Sequence, residues 1–142
     1  MKAKFYYIII LFLFSCTRNH ITSCQITMDD IAGKYKITKL ESVAYSTGDA
    51  QDITSTLTTC ERAGIYTFNT DSSAAYIEPN NCTGSGTGKW YTSNMWFYIS
   101  LTPSDASRIG STLIEKWDCS NLVLITRYPS VNFNNRYTLT KQ

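Results

Sequence analysis

Between residues 34 and 140 the chain passes through eight short segments of strand character, and nothing between them is long enough to form a crossover helix. Parallel neighbours need a connection of about a dozen residues or more, usually helical, so these segments are expected to pair antiparallel. The segments are residues 34–45, 64–69, 74–78, 89–91, 95–101, 108–117, 122–128 and 135–140, separated by turn chemistry such as Thr70-Asp71-Ser72-Ser73 and Asp118-Cys119-Ser120-Asn121. Nineteen threonines and ten tyrosines suit pleated, half-buried surfaces. An eight-strand antiparallel meander closes naturally into an up-and-down barrel, which leaves no exposed edge. The expected fold class is therefore all-β, with one helical turn ahead of the first strand, where Thr27 stands as an N-cap three residues before Asp30.

The phases of the segments name the residues expected to face inward. Tyr35, Ile37, Val43 and Tyr45 share one phase, with Leu40 out of it, which predicts a bulge midway. Tyr66 and Phe68 share a phase, as do Ile109, Leu113 and Trp117, and Tyr137 and Leu139. The candidate lining of a pocket is Tyr35, Ile37, Tyr66, Phe68, Trp90, Leu113, Leu124 and Tyr137. Residues 46–59 form a long polar connection, the kind that in compact domains often serves as a lid. Gly84-Ser85-Gly86-Thr87-Gly88 is glycine-rich, but a strand rather than a helix follows it, so it reads as a turn and not a phosphate cradle.

Ahead of the domain, Lys2 and Lys4 precede ten uncharged apolar residues, 5–14. Ten residues cannot cross a hydrocarbon core, which takes about 20 in a helix. They fit the apolar part of a secretion signal. Leu13-Phe14-Ser15-Cys16 resembles the bacterial lipobox. The expected organisation is a signal peptide over residues 1–15, a lipidated tether over 16–26 and a barrel domain over 27–142. That resemblance implies a diacylglyceryl group and an amide-linked acyl chain such as palmitate on Cys16. Thr17, Arg18 and Asn19 include no acid, which points to the periplasmic face of an outer membrane.

Removing Cys16 from the five cysteines leaves Cys24, Cys60, Cys82 and Cys119, an even number for an exported domain in an oxidising compartment. Three pairings are open. The preferred one joins Cys60 to Cys82, which flank one hairpin, and Cys24 to Cys119. No CxxC pair exists, and His20, the single histidine, lies in the tether, so no metal or cofactor is expected. The two lysines ahead of the cut carry the whole +2 formal charge, so the mature chain is neutral and lacks the basic footprint of a nucleic-acid binder.

The pattern of residues 31–141 resembles the lipocalin-like lipoproteins of Bacteroidetes-type bacteria. Gly33-Lys34-Tyr35-Lys36-Ile37 is similar to the opening Gly-x-Trp strand, with Tyr35 at the tryptophan position. Cys60-Glu61 with Tyr66-Thr67-Phe68-Asn69, Cys82 with Gly88-Lys89-Trp90, Leu122-Val123-Leu124 and Tyr137-Thr138-Leu139-Thr140 resemble the later elements. The resemblance implies a lipocalin-like barrel and a late-strand arginine, Arg127 or Arg136, stacked on the first-strand aromatic ring.

Glu41, Glu61, Glu78 and Glu115 are scattered, and no histidine is available to the domain as a base, so an enzyme is not expected. Three functional readings follow. A monomeric, membrane-anchored carrier or sensor would hold a small apolar ligand, reached beneath residues 46–59. A filled barrel would grip another envelope protein with its loops. A hydrolase would need clustered carboxylates or an activated serine.

Overall fold

The computed structural model describes residues 24–79, 82–104, 108–127 and 132–142. Residues 1–15, expected as a signal segment, and Cys16 and His20 lie outside the described residues. The chain forms α1 (Met28–Ile31), β1 (Gly33–Ala44), β2 (Ala50–Asp52), a 3-10 turn (Thr54–Thr56), α2 (Thr59–Ala63), β3 (Ile65–Phe68) and β4 (Ser73–Ile77). There follow β5 (Gly86–Ser93), β6 (Trp96–Thr102), β7 (Thr112–Trp117), β8 (Asn121–Ile125) and β9 (Phe133–Lys141).

Every strand pairing is antiparallel, and β1 also pairs with β9, so eight strands close a ring. The short β2 stands outside it, paired only with the upper part of β1 through Glu41–Asp52, Ser42–Gln51 and Val43–Ala50. In such a meander successive connections alternate between two ends. The lower end carries α1 and the tight turns after β3, β5 and β7. Each of these turns uses one non-glycine residue in the left-handed region: Ser72, Asn94 or Cys119. The upper end carries the long connections, among them the one from β1 through α2 to β3.

Both disulfides match the preferred pairing. Cys24–Cys119, with Cα atoms 5.4 Å apart, ties the start of the domain to the lower turn between β7 and β8. Cys60–Cys82, with Cα atoms 5.9 Å apart, ties α2 to the β4–β5 connection at the upper end. Helix α1 is capped as expected, Thr27 accepting from the backbone N–H of Asp30.

Two bulges reset the faces. In β1 the register with β9 shifts between Ile37 and Lys39, so Leu40 turns inward and Val43 and Tyr45 fall on the other face, Val43 still buried and Tyr45 exposed. Leu40 was the out-of-phase residue that announced the bulge. In β7 the register with β8 shifts between Ile114 and Lys116. Here the expected phase fails: Leu113 pairs with Trp96 on the outer face, and Ile114, fully buried, is the residue that faces in. The strand also starts later than expected, at Thr112, and Ile109 is buried from within the connection before it.

Candidate functional site

The barrel interior is lined unevenly. Its lower part is a packed floor. Phe68 lies 5.5 Å from Tyr35, 5.2 Å from Trp90 and 5.1 Å from Phe97, ring centre to ring centre. Two polar tips in this layer are bonded: the Tyr35 hydroxyl donates to the Ile31 carbonyl, and Trp90 Nε1 donates to the Asn69 carbonyl at 2.8 Å. Burial pushes the Tyr35 phenol well above its usual pKa, so it stays protonated as a donor. The Lys141 ammonium sits 5.9 Å from the centre of the Tyr35 ring and 5.7 Å from that of Trp117. Lys141 thus takes the place expected for a late-strand arginine. Arg136 instead points outward and holds Glu115 through two bonds of 2.5 and 2.8 Å, with Glu41 at 3.8 Å.

Along β4 and β5 the lining is smaller: Ala74, the partner of Phe68 and of Gly88, and Gly86, the partner of Tyr76, carry nothing beyond a Cβ. Gly88 is required there, because a Cβ would overlap the Ser100 carbonyl oxygen of β6. Leu101 of β6 is the direct partner of Gly88, and Ile99, Ile109 and Leu124 are buried in the same core. Thr112 is paired with Phe97, shares its inward face and is completely buried. Its hydroxyl finds no hydrogen-bond partner. A buried hydroxyl left unpaired costs about 1–3 kcal/mol, and such groups in native proteins usually have a reason to be there. Trp117 Nε1, the other unbonded buried atom among the described residues, sits at the lower rim beside Lys141.

A lid covers the upper end. The polar connection over residues 46–59 carries regular structure: after a hairpin turn and β2, the 3-10 turn fastens to β1. Ile53 N–H donates to the Leu40 carbonyl at 2.9 Å, and Leu40 N–H donates to Thr54 Oγ1 at 2.9 Å. Leu57 is 1% exposed and joins the core. Helix α2 begins with a capping box, Glu61 N–H donating to Thr58 Oγ1 at 3.2 Å and Thr58 N–H to Glu61 Oε2 at 2.7 Å. Arg108, from the β6–β7 connection, is ion-paired with Glu61. Burial raises the Glu61 carboxyl pKa, but the Thr58 N–H and Arg108 bonds outweigh it and hold it below the usual range. Beneath the lid Tyr66 and Tyr76 stack at 4.4 Å, and Tyr76 donates to Glu78 Oε1 at 2.9 Å. Gly64, at the end of α2, leaves room for the Tyr76 ring.

Of the residues expected to line a pocket, Tyr35, Ile37, Phe68 and Trp90 belong to the floor, and Tyr66, Leu124 and Tyr137 to the layers above it. Leu113 is outside. The sequence phases missed Thr112, Ile114, Leu57 and Tyr76. The four glutamates do not converge: Glu41 and Glu115 meet at Arg136, Glu61 binds Arg108 and Glu78 binds Tyr76.

No family model matches the chain, and no curated protein sequence matches it. Among solved structures the chain is similar to a lipocalin-like protein from Bacteroides uniformis ATCC 8492, with a TM-score of 0.51 and 16% identity over 80% of this chain and 99% of that one. The fold is lipocalin-like. A second similar structure is an uncharacterized protein from Bacteroides eggerthii DSM 20697, with a TM-score of 0.49 and 14% identity over 78% of this chain and 98% of that one.

Proposed function

We propose that this protein is an envelope lipoprotein, held by lipid on Cys16 at the periplasmic face of an outer membrane, whose barrel takes a small apolar ligand. The observation that carries the ligand reading is Thr112, an unpaired hydroxyl completely buried in the apolar barrel interior beside Phe97. That chemistry suits a ligand with a compact hydrocarbon body and one hydrogen-bonding group. Pockets of this kind orient an apolar molecule by a small number of placed polar groups. The packed floor favours the alternative of a filled barrel that uses its loops to grip another protein.

Native mass spectrometry of the protein purified from membranes, with thermal unfolding against medium-chain alcohols and fatty acids, separates the two. The ligand reading expects a bound small molecule or a rise in Tm that saturates with ligand. A protein that carries nothing and shows no shift, yet cross-links to one specific envelope protein in intact cells, would establish the alternative.

A further inference from the structure

The lower end of the barrel carries an exposed aromatic strip that ligand binding does not use. Tyr91 and Tyr98 are direct cross-strand partners on the outer face of β5 and β6, their rings stacked at 4.5 Å and 13°. Trp96 lies 6.3 Å from Tyr98, and Met95 occupies the turn between the two strands. Tyr91 is 50% exposed, Met95 45% and Trp96 38%. Leu113, the β7 partner of Trp96, continues the apolar surface. Contiguous exposed apolar groups mark an interaction surface. The cleft beside the tyrosines, about 210 Å³, is lined by Lys89, Ser100 and Ser111 together with Tyr91, Tyr98 and Ile99, and by no carboxylate.

The path of the chain says what this surface meets. Cys24 is bonded to Cys119, so the N-terminal segment joins the domain at the lower end, where the β5–β6 turn also lies. Eight residues of chain reach about 28 Å at most, which is the span available between Cys16 and Cys24. A lipid on Cys16 therefore holds this end within about 28 Å of the bilayer. We propose that the β5–β6 hairpin seats in the membrane interface, with Met95 and Trp96 at the headgroup and acyl boundary and Tyr91 and Tyr98 above them. Tryptophan and tyrosine suit that zone because their rings are apolar and their tips polar. Lys89, beside the tyrosines and within electrostatic reach of Asp71, supplies a positive charge on this face. The lid then faces the aqueous space. This inference rests on the Cys16 anchor proposed above.

The test uses the lipidated protein in vesicles of phosphatidylethanolamine and phosphatidylglycerol containing brominated phosphatidylcholine. Tryptophan emission of the wild type should be quenched, and the quenched component should be lost in Trp96→Phe while Trp90 and Trp117 still emit. Protein that floats with the vesicles without being quenched would overturn the seating and leave the anchor standing. Quenching undiminished in Trp96→Phe would also overturn the seating. Protein that does not float, with an intact mass lacking lipid, would overturn the anchor and the seating with it.

Discussion

Replacing Thr112 with valine isolates the energetic consequence of one hydroxyl. The side chain is completely buried, its hydroxyl has no hydrogen-bond partner, and valine reproduces its shape. Taking such a group out of water unpaired costs about 1–3 kcal/mol. Substituting a methyl removes that cost and adds a little buried apolar area. The ligand-free protein should therefore gain about 1–2 kcal/mol, which for a domain of this size raises Tm by about 3–8 °C. Most single substitutions destabilise, so the sign alone is diagnostic.

The ligand should respond in the opposite sense. If its polar atom bonds Thr112, the valine variant loses that bond and leaves the ligand atom buried and unpaired. A loss of about 1.4 kcal/mol corresponds to tenfold weaker binding. Urea unfolding monitored by tryptophan emission gives the first quantity, provided the m-value is unchanged. Titration with a bound small molecule recovered from the native protein gives the second. A Thr112→Val protein less stable than wild type by 1 kcal/mol would refute the reasoning, since it would mean the hydroxyl is bonded without ligand. Unchanged ligand affinity would remove Thr112 from the site. Thr112→Ser keeps the hydroxyl and should retain affinity while losing about 1 kcal/mol of packing.

Leu57→Ala should lower the unfolding free energy by about 2–4 kcal/mol, read by urea denaturation, because Leu57 is the lid's one side chain among the fully buried core residues. Replacing Cys60 and Cys82 together with serine opens a loop of 22 residues and should cost about 3 kcal/mol in the chain-entropy model, with faster hydrogen exchange confined to α2 and the β4–β5 connection. Glu61 has a lowered folded-state pKa, so its contribution is complete above the ordinary carboxylate range near pH 4–5 and is lost as the pH falls through the lower folded value. Hydrogen exchange over residues 58–63 should therefore be flat from pH 7 to about 5, after correction for intrinsic rates, and accelerate only in more acid solution. Glu61→Gln should abolish that acid-dependent step.

The ring of strands was legible because each one announces itself twice, by alternation and by the turn that ends it. Tyr66 with Phe68, and Tyr137 with Leu139, alternate within strands that carry no bulge, so their faces were read correctly. Faces failed where a bulge inserts one residue, since a shift of one turns every later side chain over. Leu40 gave warning of the bulge in β1 by falling out of phase. In β7 nothing in the types of Ile114, Glu115 and Lys116 marks the insertion, and Leu113 was placed inside in error. The lid itself was legible as a long polar connection, but its internal elements were hidden for another reason. Its apolar residues, Ile53 and Leu57, are too sparse to show a period, although Thr58 and Glu61 already had the spacing of a capping box. Thr112 could not be found from sequence at all, because an unpaired hydroxyl is defined by what three other strands fail to bring to it.

The two ends of the barrel differ in how easily they can open, and the difference fixes the route to the barrel interior. Opening the lower end would break the Tyr35 and Trp90 hydrogen bonds and part the ring cluster around Phe68, all behind the Cys24–Cys119 bond. At the upper end, the segment before Cys60 is held mainly by Leu57, by Thr54 on β1 and by the ion pair of Arg108 with the neighbouring Glu61. Exposing one leucine costs about 1.5–3 kcal/mol, and a partly exposed ion pair adds about 0–1 kcal/mol. Lifting residues 54–59 with Cys60 still tethered to Cys82 therefore costs about 1.5–4 kcal/mol, a population of roughly one molecule in ten to one in a thousand. Ligand uptake through that state would be slowed by the same factor. Leu57→Ala, which lowers the opening cost directly, should speed ligand association by about tenfold or more in stopped-flow fluorescence, and an unchanged rate would mean that the ligand does not pass beneath the lid.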